Sequence, residues 1–282
     1  MAQSALPWSR RTQSSSATPP IRLRDPWWLL SLPLLLFLAL PLVAMFLRTP
    51  PDQLWANLGQ TQVIQAVSLS LLTTSITLAV TIIFGTPVAY LLARYNFPFR
   101  RAVDTLLDLP TVLPPSVAGV ALLMAFGRRG LVGEWLEIWG LHIAFTQVAV
   151  VLAQTFIAAP FYVKAATLGF ASVDRDLEQA AALDGAGGGQ VFRFITLPLA
   201  WSALLSGAVM TWARALGEFG ATIIFAGNYP GRTQTMPLAI YIGFELDLNV
   251  ALTLSVILVG CSFLVLIAVK GLLQREVEAR TH

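Results

Sequence analysis

Charged residues are scarce in this chain: Lys, Arg, Asp and Glu together make up 12% of its 282 residues. A soluble domain usually carries about a quarter, and 56% of this chain is apolar. The composition therefore excludes an ordinary soluble domain and favours a protein embedded in the lipid bilayer. The basic residues are spread thinly between apolar runs and form no single patch, so we expect no nucleic-acid partner.

Cysteine and histidine are almost absent. Cys261 is the one cysteine, so no disulfide can form within the chain, and the two histidines are His142 and His282. One thiol and two imidazoles cannot build a Cys-rich zinc site or an iron–sulfur cluster. The sequence therefore predicts neither a metal site nor a cofactor.

Lysine occurs twice, as Lys164 followed by alanine and Lys270 followed by glycine. A phosphate-binding loop of the GxxxxGK[ST] type needs a lysine followed by serine or threonine, and neither position fits. If ATP drives this protein, a separate subunit must bind and hydrolyse it. We therefore expect the chain itself not to be an enzyme.

Long apolar runs, in contrast, are abundant. A bilayer core of about 30 Å needs about 20 apolar residues per helix, and six runs reach that length. The expected fold is therefore all-α, a polytopic membrane protein with six transmembrane helices. The predicted spans are 27–47, 63–93, 105–126, 144–166, 199–226 and 250–269.

The distribution of Lys and Arg predicts the orientation, because cytosolic flanks retain these residues. With the N-terminus inside, thirteen fall on the cytosolic side, four on the opposite side, and Arg214 within a span. We therefore expect a multi-pass protein of the plasma (inner) membrane with both termini in the cytosol. The four on the opposite side are Arg48, Arg128, Arg129 and Arg232.

Residues 1–26 are rich in Ser, Pro and Arg and contain no acid before Asp25. Such a segment cannot bury a core, which predicts a disordered cytosolic tail ahead of a transmembrane domain over 27–282. The same composition marks organellar transit peptides, so both interpretations stay open. The apolar run that follows is longer than the core of a signal peptide, usually about 7–15 residues, and is expected to be the first transmembrane helix.

The third span is predicted to be interrupted, because Pro110, Pro114, Pro115 and Gly119 fall within it. Irregular backbone at membrane depth is tolerated inside protein or beside a water-filled cavity. We weigh a role for Pro114 and Pro115 in lining a pathway equally against a structural kink.

The polar loop 174–198, between the fourth and fifth spans, is predicted to contain a short surface helix. Three acids crowd its start, where the helix dipole favours them, and Gly185 stands where a left-handed residue would end it. Its body of alanines is nearly free of side chains, so its backbone can approach a partner closely. The acids are Asp174, Asp176 and Glu178, and the hinge glycines that follow are Gly187, Gly188 and Gly189.

The same loop resembles the EAA motif of permease subunits of ATP-binding-cassette (ABC) importers: EAA, three residues, Gly, nine residues, then Ile, any residue, Leu-Pro. Gln179 stands in the glutamate position, and Glu178 just before it is a candidate to take over its contact. The resemblance implies a type I ABC importer permease fold in which this loop docks on a separate ATPase subunit. The residues implied in ATPase coupling are Glu178, Gln179, Ala180, Ala181, Gly185, Ile195, Leu197 and Pro198.

A second stretch resembles the molybdate permease family, which is related to the sulfate and thiosulfate permeases. It reads RALGEFGA over 214–221 and FAGNYPGRTQTMPLAIY over 225–241; sulfate and thiosulfate permeases match the second part less well. The resemblance implies molybdate import, with tungstate plausible and sulfate or thiosulfate the runner-up. It also implies the partners: an ABC ATPase subunit, an extracytoplasmic molybdate-binding protein and a second permease copy, either identical (a homodimer) or related.

Arg214 and Glu218 stand four residues apart in the predicted fifth span and would share a helical face. An isolated charge at the helix centre costs about 2.5–3.5 kcal/mol on the insertion scale, so we expect a neutralising pair. Gly217 beside Glu218 leaves room for a backbone or water, and the resemblance implies that this face lines the translocation pathway. A buried structural pair is the alternative.

The loop after the fifth span is predicted to form an external turn. Gly231, Arg232, Thr233 and Gln234 follow a proline and offer hydrogen-bond donors that suit contact with a binding protein or guidance of an anion. A solvated turn without function is an equal alternative.

Two other classes fit the sequence less well. A membrane-embedded enzyme would need paired carboxylates, an activated nucleophile or metal ligands near the midplane, and Arg214 with Glu218 is the one deep ionisable pair. An ion-coupled carrier or a channel suits six spans and broken helices. A stand-alone carrier, however, has no use for a loop that docks on an ATPase.

Overall fold

The computed structural model of the protein describes residues 26–281, and within that range all regular structure is helical. The described residues divide into a short unit that ends at Arg48 and a large unit that begins at Thr49. The short unit is one helix, α1 (Pro26–Arg48), which agrees with the predicted first span. The predicted tail lies, apart from Pro26, outside the described residues.

The large unit contains twelve further α-helices and one π-helical turn within residues 49–281. The first group is α2 (Pro51–Leu58), α3 (Thr61–Arg94), α4 (Arg100–Val112), α5 (Pro115–Phe126), α6 (Gly133–Ile138) and α7 (Gln147–Ser172). The second group is α8 (Arg175–Leu183), α9 (Gly188–Val191), α10 (Leu197–Leu216), α11 (Gly220–Phe225), α12 (Met236–Leu246) and α13 (Leu248–Thr281). The π-helical turn, Phe192–Thr196, joins α9 to α10.

Within residues 26–281, five helical segments are long and apolar enough to cross a membrane, namely α1, α3, α7, α9–α10 and α13. The predicted third span is the helix pair α4 and α5, which is bent by 118°. Counted as one span, the pair brings the total to the predicted six. The predicted interruption is confirmed at Leu113 and Pro114, whereas Pro110 lies inside α4 and Gly119 inside α5 without breaking either helix.

The fifth span ends earlier than predicted. One helix was expected over 199–226, but α10 ends at Leu216 and α11 begins at Gly220. The N–H of Gly217 still donates to the carbonyl oxygen of Ala213, at 3.2 Å. The N–H of Glu218 donates to a carbonyl oxygen three residues back, that of Ala215, at 3.1 Å. Glu218 therefore lies just beyond the end of α10 and not within the one helix that was predicted to carry it together with Arg214.

The sequence did not predict α12. Its eleven residues are apolar but too few to cross a bilayer core, so a criterion based on span length passes over them. The helix packs against α13: a Cβ atom on Gly243 would lie 2.9 Å from the Cβ of Ala251. The close approach holds α12 and α13 together as a hairpin.

Helix α7 packs between α10 and α3 in the core of the large unit. Small residues bring α7 and α10 together, since a Cβ atom on Gly207 would lie 2.8 Å from the Cβ of Ala165. On the side of α3, the buried Thr77 hydroxyl donates to Gln154 Oε1 at 3.0 Å. Close backbone approach and hydrogen bonds between helices are the usual means of association in a bilayer, where lipid is as apolar as the helices.

Candidate functional site

The segment 174–198 begins with a well-capped helix. The side chain of Asp174 accepts a hydrogen bond from the Asp176 N–H at 3.0 Å at the start of α8. At its end Gly185 has φ +92°, and the N–H of Ala186 donates to the carbonyl oxygen of Ala181 at 3.0 Å. This is the pattern of a Schellman motif, so the predicted left-handed end of the helix is confirmed.

The outer surface of this segment is apolar and exposed. Leu183 is 89% exposed and Phe194 is 68% exposed, which is unusual for large apolar side chains outside the bilayer. A shallow cleft of about 350 Å³ lies between the end of α8 and the π-helical turn, and Gly185 and Ile195 both line it. Two residues that the motif places ten apart are thus brought together. Of the other motif residues, Gln179, Ala180 and Pro198 are exposed and Ala181 is half-buried, whereas Leu197 packs against the core between α3, α7 and α10.

Glu178 does not share that outer surface. Its Oε1 lies 2.7 Å from Nη2 of Arg94, the last residue of α3, and also accepts the Thr196 hydroxyl at 2.5 Å. The same Nη2 donates to the carbonyl oxygen of Val173 at 3.1 Å. We call these four residues the Arg94 bracket. Glu178 is therefore engaged inside the chain, whereas Gln179, in the glutamate position of the motif, is exposed.

An aromatic cluster lies beside the Arg94 bracket. The Tyr90 ring packs edge-on against Phe170, with ring centroids 5.6 Å apart, and against Phe192 at 5.1 Å. This role of Arg94 was not predicted from the sequence. A lone arginine at the end of a span, with an acid in the following polar loop, was the available signal.

The two helix breaks lie against each other. A Cβ atom on Gly220, just after the α10 break, would lie 2.7 Å from the Cβ of Pro115, just after the α4–α5 break. A Cβ atom on Gly119 would lie 2.9 Å from the carbonyl oxygen of Ala221. Pro114 and Pro115 were singled out separately from Gly217 and Glu218, and the fold brings these two regions together.

Arg214 and Glu218 form the predicted ion pair. Nη1 of Arg214 lies 2.8 Å from Oε2 of Glu218. The other carboxylate oxygen accepts the Ala221 N–H at 2.9 Å, in the first turn of α11. The glutamate therefore performs two tasks, since it neutralises an arginine at the end of α10 and satisfies a backbone donor of the next helix.

The loop 228–235 folds tightly on itself. The carbonyl oxygen of Tyr229 accepts the N–H groups of Arg232, Thr233 and Gln234 at 2.9–3.0 Å, and the Tyr229 N–H donates to the Thr233 hydroxyl at 3.1 Å. Thr233 and Gln234 are buried, whereas Gly231 and Arg232 are exposed. Of the four predicted contact residues, two therefore remain on the surface of the chain.

A charge cluster joins α4 to α7. Nζ of Lys164 lies 2.6 Å from Asp104 Oδ1 and 3.0 Å from Asp108 Oδ2. The two acids stand four apart and so on one face of α4, which was the signal that a cation would face them.

Residues 85–282 match the profile of a family described as the binding-protein-dependent transport system inner membrane component. The chain belongs to this family. Its members are permease subunits of ABC transporters, in which the ATPase is a separate subunit. The family predicted from the EAA spacing is thereby confirmed, and the protein is a multi-pass membrane permease.

Permeases with named substrates are similar to this family member over most of its length. The molybdenum transport system permease protein ModB of Mycobacterium tuberculosis is 42% identical over 235 residues, which cover 83% of this chain and 89% of the relative. The ModB protein of Escherichia coli K12 is 47% identical over 178 residues, or 63% and 78% of the two chains. The molybdate/tungstate permease WtpB of Thermococcus kodakarensis is 35% identical over 245 residues, or 86% and 93%.

Solved structures of similar fold are ABC importers. A bacterial transporter that imports the acidic polysaccharide alginate has a TM-score of 0.70 at 17% identity, over 90% of this chain and 97% of that one. The MetNI methionine transporter in inward-facing form has a TM-score of 0.59 at 21% identity, over 76% and 95%. At these identities the likeness concerns the fold, and it confirms the type I ABC importer permease fold of this family member.

Proposed function

We propose that this chain is the permease subunit of an ATP-driven importer of molybdate. In this proposal it receives the anion from an extracytoplasmic binding protein and is driven by a separate ATPase subunit. Similarity to molybdenum transport permeases over 83% of the chain carries the proposal. The chain itself hydrolyses nothing.

The exposed face of α8 supports docking on the ATPase. Leu183 on α8 and Phe194 on the nearby π-helical turn present apolar surface there, and Gly185 leaves the end of the helix without a side chain. In the orientation favoured by the distribution of Lys and Arg, both termini and α8 lie in the cytosol, where the ATPase works. The assembly we propose contains two permease copies, two ATPase subunits and one binding protein.

The Arg214–Glu218 pair fits a pathway for a tetrahedral dianion. Conduction needs an anion to be attracted into the pathway but not trapped there. Arg214 is 32% exposed and its charge is balanced by Glu218, so it offers hydrogen-bond donors without a strong net field. Such a pathway suits a permease that receives its anion from a high-affinity binding protein. Gly217, Pro114 and Pro115 are proposed to line the same pathway beside the ion pair.

Tungstate is the second proposed substrate, because the similar permease of Thermococcus kodakarensis is named for both molybdate and tungstate. The two oxyanions share charge and shape, so the permease has little with which to separate them. Sulfate and thiosulfate are the alternative substrates, because the molybdate permease family is related to the permeases for these anions.

Transport in proteoliposomes tests this function. The permease, reconstituted with its ATPase and binding protein, should accumulate labelled molybdate when ATP is supplied on the ATPase side. Excess tungstate should suppress that uptake, whereas equal sulfate or thiosulfate should not. Uptake without ATP or binding protein would instead identify an ion-coupled carrier or a channel, and preferential uptake of sulfate would identify a sulfate permease.

A further inference from the structure

We propose that Arg94 is a positioning residue that fastens helix α8 to the end of the transmembrane helix α3, so that the two move as one body during transport. The inference rests on the proposed function, because it takes α8 to be the element that the ATPase moves. It assigns to this chain the internal joint through which that movement reaches the transmembrane helices.

The Arg94 bracket joins four parts of the chain through one guanidinium nitrogen. Nη2 of Arg94 contacts the Glu178 carboxylate on α8 and the carbonyl oxygen of Val173, just beyond the end of α7. The carboxylate in turn accepts the hydroxyl of Thr196, which ends the π-helical turn leading into α10. A displacement of α8 is therefore transmitted to the ends of α3 and α7 and to the start of α10.

The bracket is shielded from water. The Arg94 side chain is 7% exposed and the Glu178 side chain is 16% exposed. Removal of one partner from such a buried pair leaves an uncompensated charge, which is far costlier than loss of an exposed pair. The two side chains are therefore expected to stay together while α8 moves.

Neighbouring contacts stiffen the same joint. Nη2 of Arg175, the first residue of α8, donates to the carbonyl oxygen of Arg94 at 3.2 Å. Tyr90, one turn before Arg94 on α3, packs against Phe192 at the start of the π-helical turn. Polar and aromatic contacts thus tie the last turn of α3 to the start of α8 and to the π-helical turn that leads into α10.

The connection leads into the core of the permease. From Arg94, α3 runs back alongside α7, and the hydroxyls of the half-buried Thr86 and the buried Tyr162 lie 2.7 Å apart between the two helices. A movement imposed on the Arg94 end is thereby passed to the helix pair that fills the centre of the large unit.

Coupling measurements on the complete transporter test the inference. The variants are Arg94→Met, Glu178→Gln and the milder Thr196→Val, each reconstituted with the ATPase and binding protein. Arg101→Met is the matched control, because Arg101 is an exposed arginine in the first turn of α4 whose side chain makes no polar contact within the described residues. Molybdate uptake, ATP hydrolysis and co-purification of the ATPase are measured for each.

We expect each bracket variant to retain the ATPase and to hydrolyse ATP, while the number of anions moved per ATP falls about fivefold or more in Arg94→Met and Glu178→Gln. In Thr196→Val the number of anions moved per ATP should also fall, but by less. In Arg94→Lys the number of anions moved per ATP should be higher than in Arg94→Met. Lysine restores the positive charge, but it does not reach both the Glu178 carboxylate and the carbonyl oxygen of Val173. A residue that acts merely as a structural support would lower uptake and hydrolysis together.

An unchanged ratio of uptake to hydrolysis in Arg94→Met and Glu178→Gln, equal to that of Arg101→Met, would overturn the inference. Loss of the ATPase from the bracket variants would also overturn it, because Arg94 would then act in docking. Absence of ATP-dependent molybdate uptake in the unmodified protein is a different failure, since it would remove the proposed function and this inference with it.

Discussion

Glu218 and Arg214 form an ion pair whose two members differ sharply in exposure. The glutamate side chain is 1% exposed and is fixed at the start of α11 by the Ala221 N–H, whereas the arginine is 32% exposed. The acid is therefore the anchored partner, and it positions a cation that still reaches accessible space. Intramembrane ions usually face a protein interior or a cavity, which is why we assign this pair to the pathway.

Glu218→Gln should distinguish the two roles of Glu218, which are to neutralise Arg214 and to accept the Ala221 N–H. The amide keeps an oxygen for the Ala221 N–H but leaves Arg214 without a counter-charge, so the free energy of unfolding should fall by about 1–3 kcal/mol and uptake should change. Glu218→Ala also loses the acceptor, which adds about 0.5–2 kcal/mol. Thermal unfolding of the purified permease and uptake in vesicles measure both effects.

Exchanging the two residues gives the stricter test of the pathway role. In Arg214→Glu with Glu218→Arg the charges still pair, but position 218 can no longer accept the Ala221 N–H, so partial recovery is expected from the structure alone. Full recovery of uptake would show that pairing is all that matters, and the pathway role would be withdrawn. Wild-type stability and uptake in Glu218→Gln would contradict the pair altogether.

Gly185→Val should weaken coupling. The backbone there has φ +92°, a region that side chains, and β-branched ones above all, strongly disfavour, and forcing it costs about 1–2 kcal/mol. No atom of the chain's described part lies within 4 Å of a Cβ added at this position. Any effect of the valine side chain larger than this backbone strain must therefore come from a clash with a partner protein. The expected result is reduced ATPase association and uptake with normal membrane insertion.

Gly185→Asn is the control for backbone strain, because asparagine tolerates left-handed conformations better than other non-glycine residues. It should restore the helix end while still adding a side chain. Normal ATPase association and uptake in Gly185→Val would count against assigning α8 to the ATPase contact.

Arg232→Glu should weaken the encounter with the loaded binding protein. Arg232 is exposed at the tip of the loop 228–235, and rim charges act mainly on association rates and their salt dependence. The apparent affinity should fall about tenfold at low salt and much less at high salt, where charges are screened. Stimulation of ATP hydrolysis by increasing binding protein is the measurement.

Arg129→Glu is the matched control, because Arg129 is also exposed and is predicted to lie on the same side of the membrane. An equal effect of both changes would indicate general attraction and not a contact made by the loop. If the apparent affinity of Arg232→Glu at low salt stays at the wild-type value, the loop has no guiding role.

Gly207→Ala should destabilise the packing of α7 on α10. The added Cβ atom would lie 2.8 Å from the Cβ of Ala165, closer than two methyl groups can approach, and overpacking of this kind costs about 1–3 kcal/mol. Thermal unfolding in detergent measures the loss. Adding Ala165→Gly should restore stability, because it returns the missing space; a double variant no more stable than the single one would contradict this contact.

Helices that depend on length and apolarity were predictable from the sequence. The runs that became α1, α3, α7 and α13 are long enough to span a bilayer, and Gly185 marked the end of α8. Each of these rests on local information, since the hydrophobic pattern and the turn residue are sufficient to define the element.

The remaining features depend on contacts between distant parts of the chain. The Arg94 bracket joins residues 84 positions apart, the break after Leu216 leaves an apolar run intact, and the burial of Thr233 and Gln234 follows from how their loop folds back on Tyr229. Composition does not report which of several polar residues in a loop will be enclosed. For the same reason the sequence named the pathway residues in two groups without showing that they meet.

The contact between Gly220 and Pro115 makes these two positions evolutionarily dependent on each other. With 2.7 Å between the proline Cβ and any Cβ added at 220, a larger residue at 220 cannot be accepted while the proline ring stays in place. Distant members of the family that lose the glycine should therefore also have lost the proline. Correlated substitution at 115 and 220 would then record, in sequence alone, that the two helix breaks are in contact.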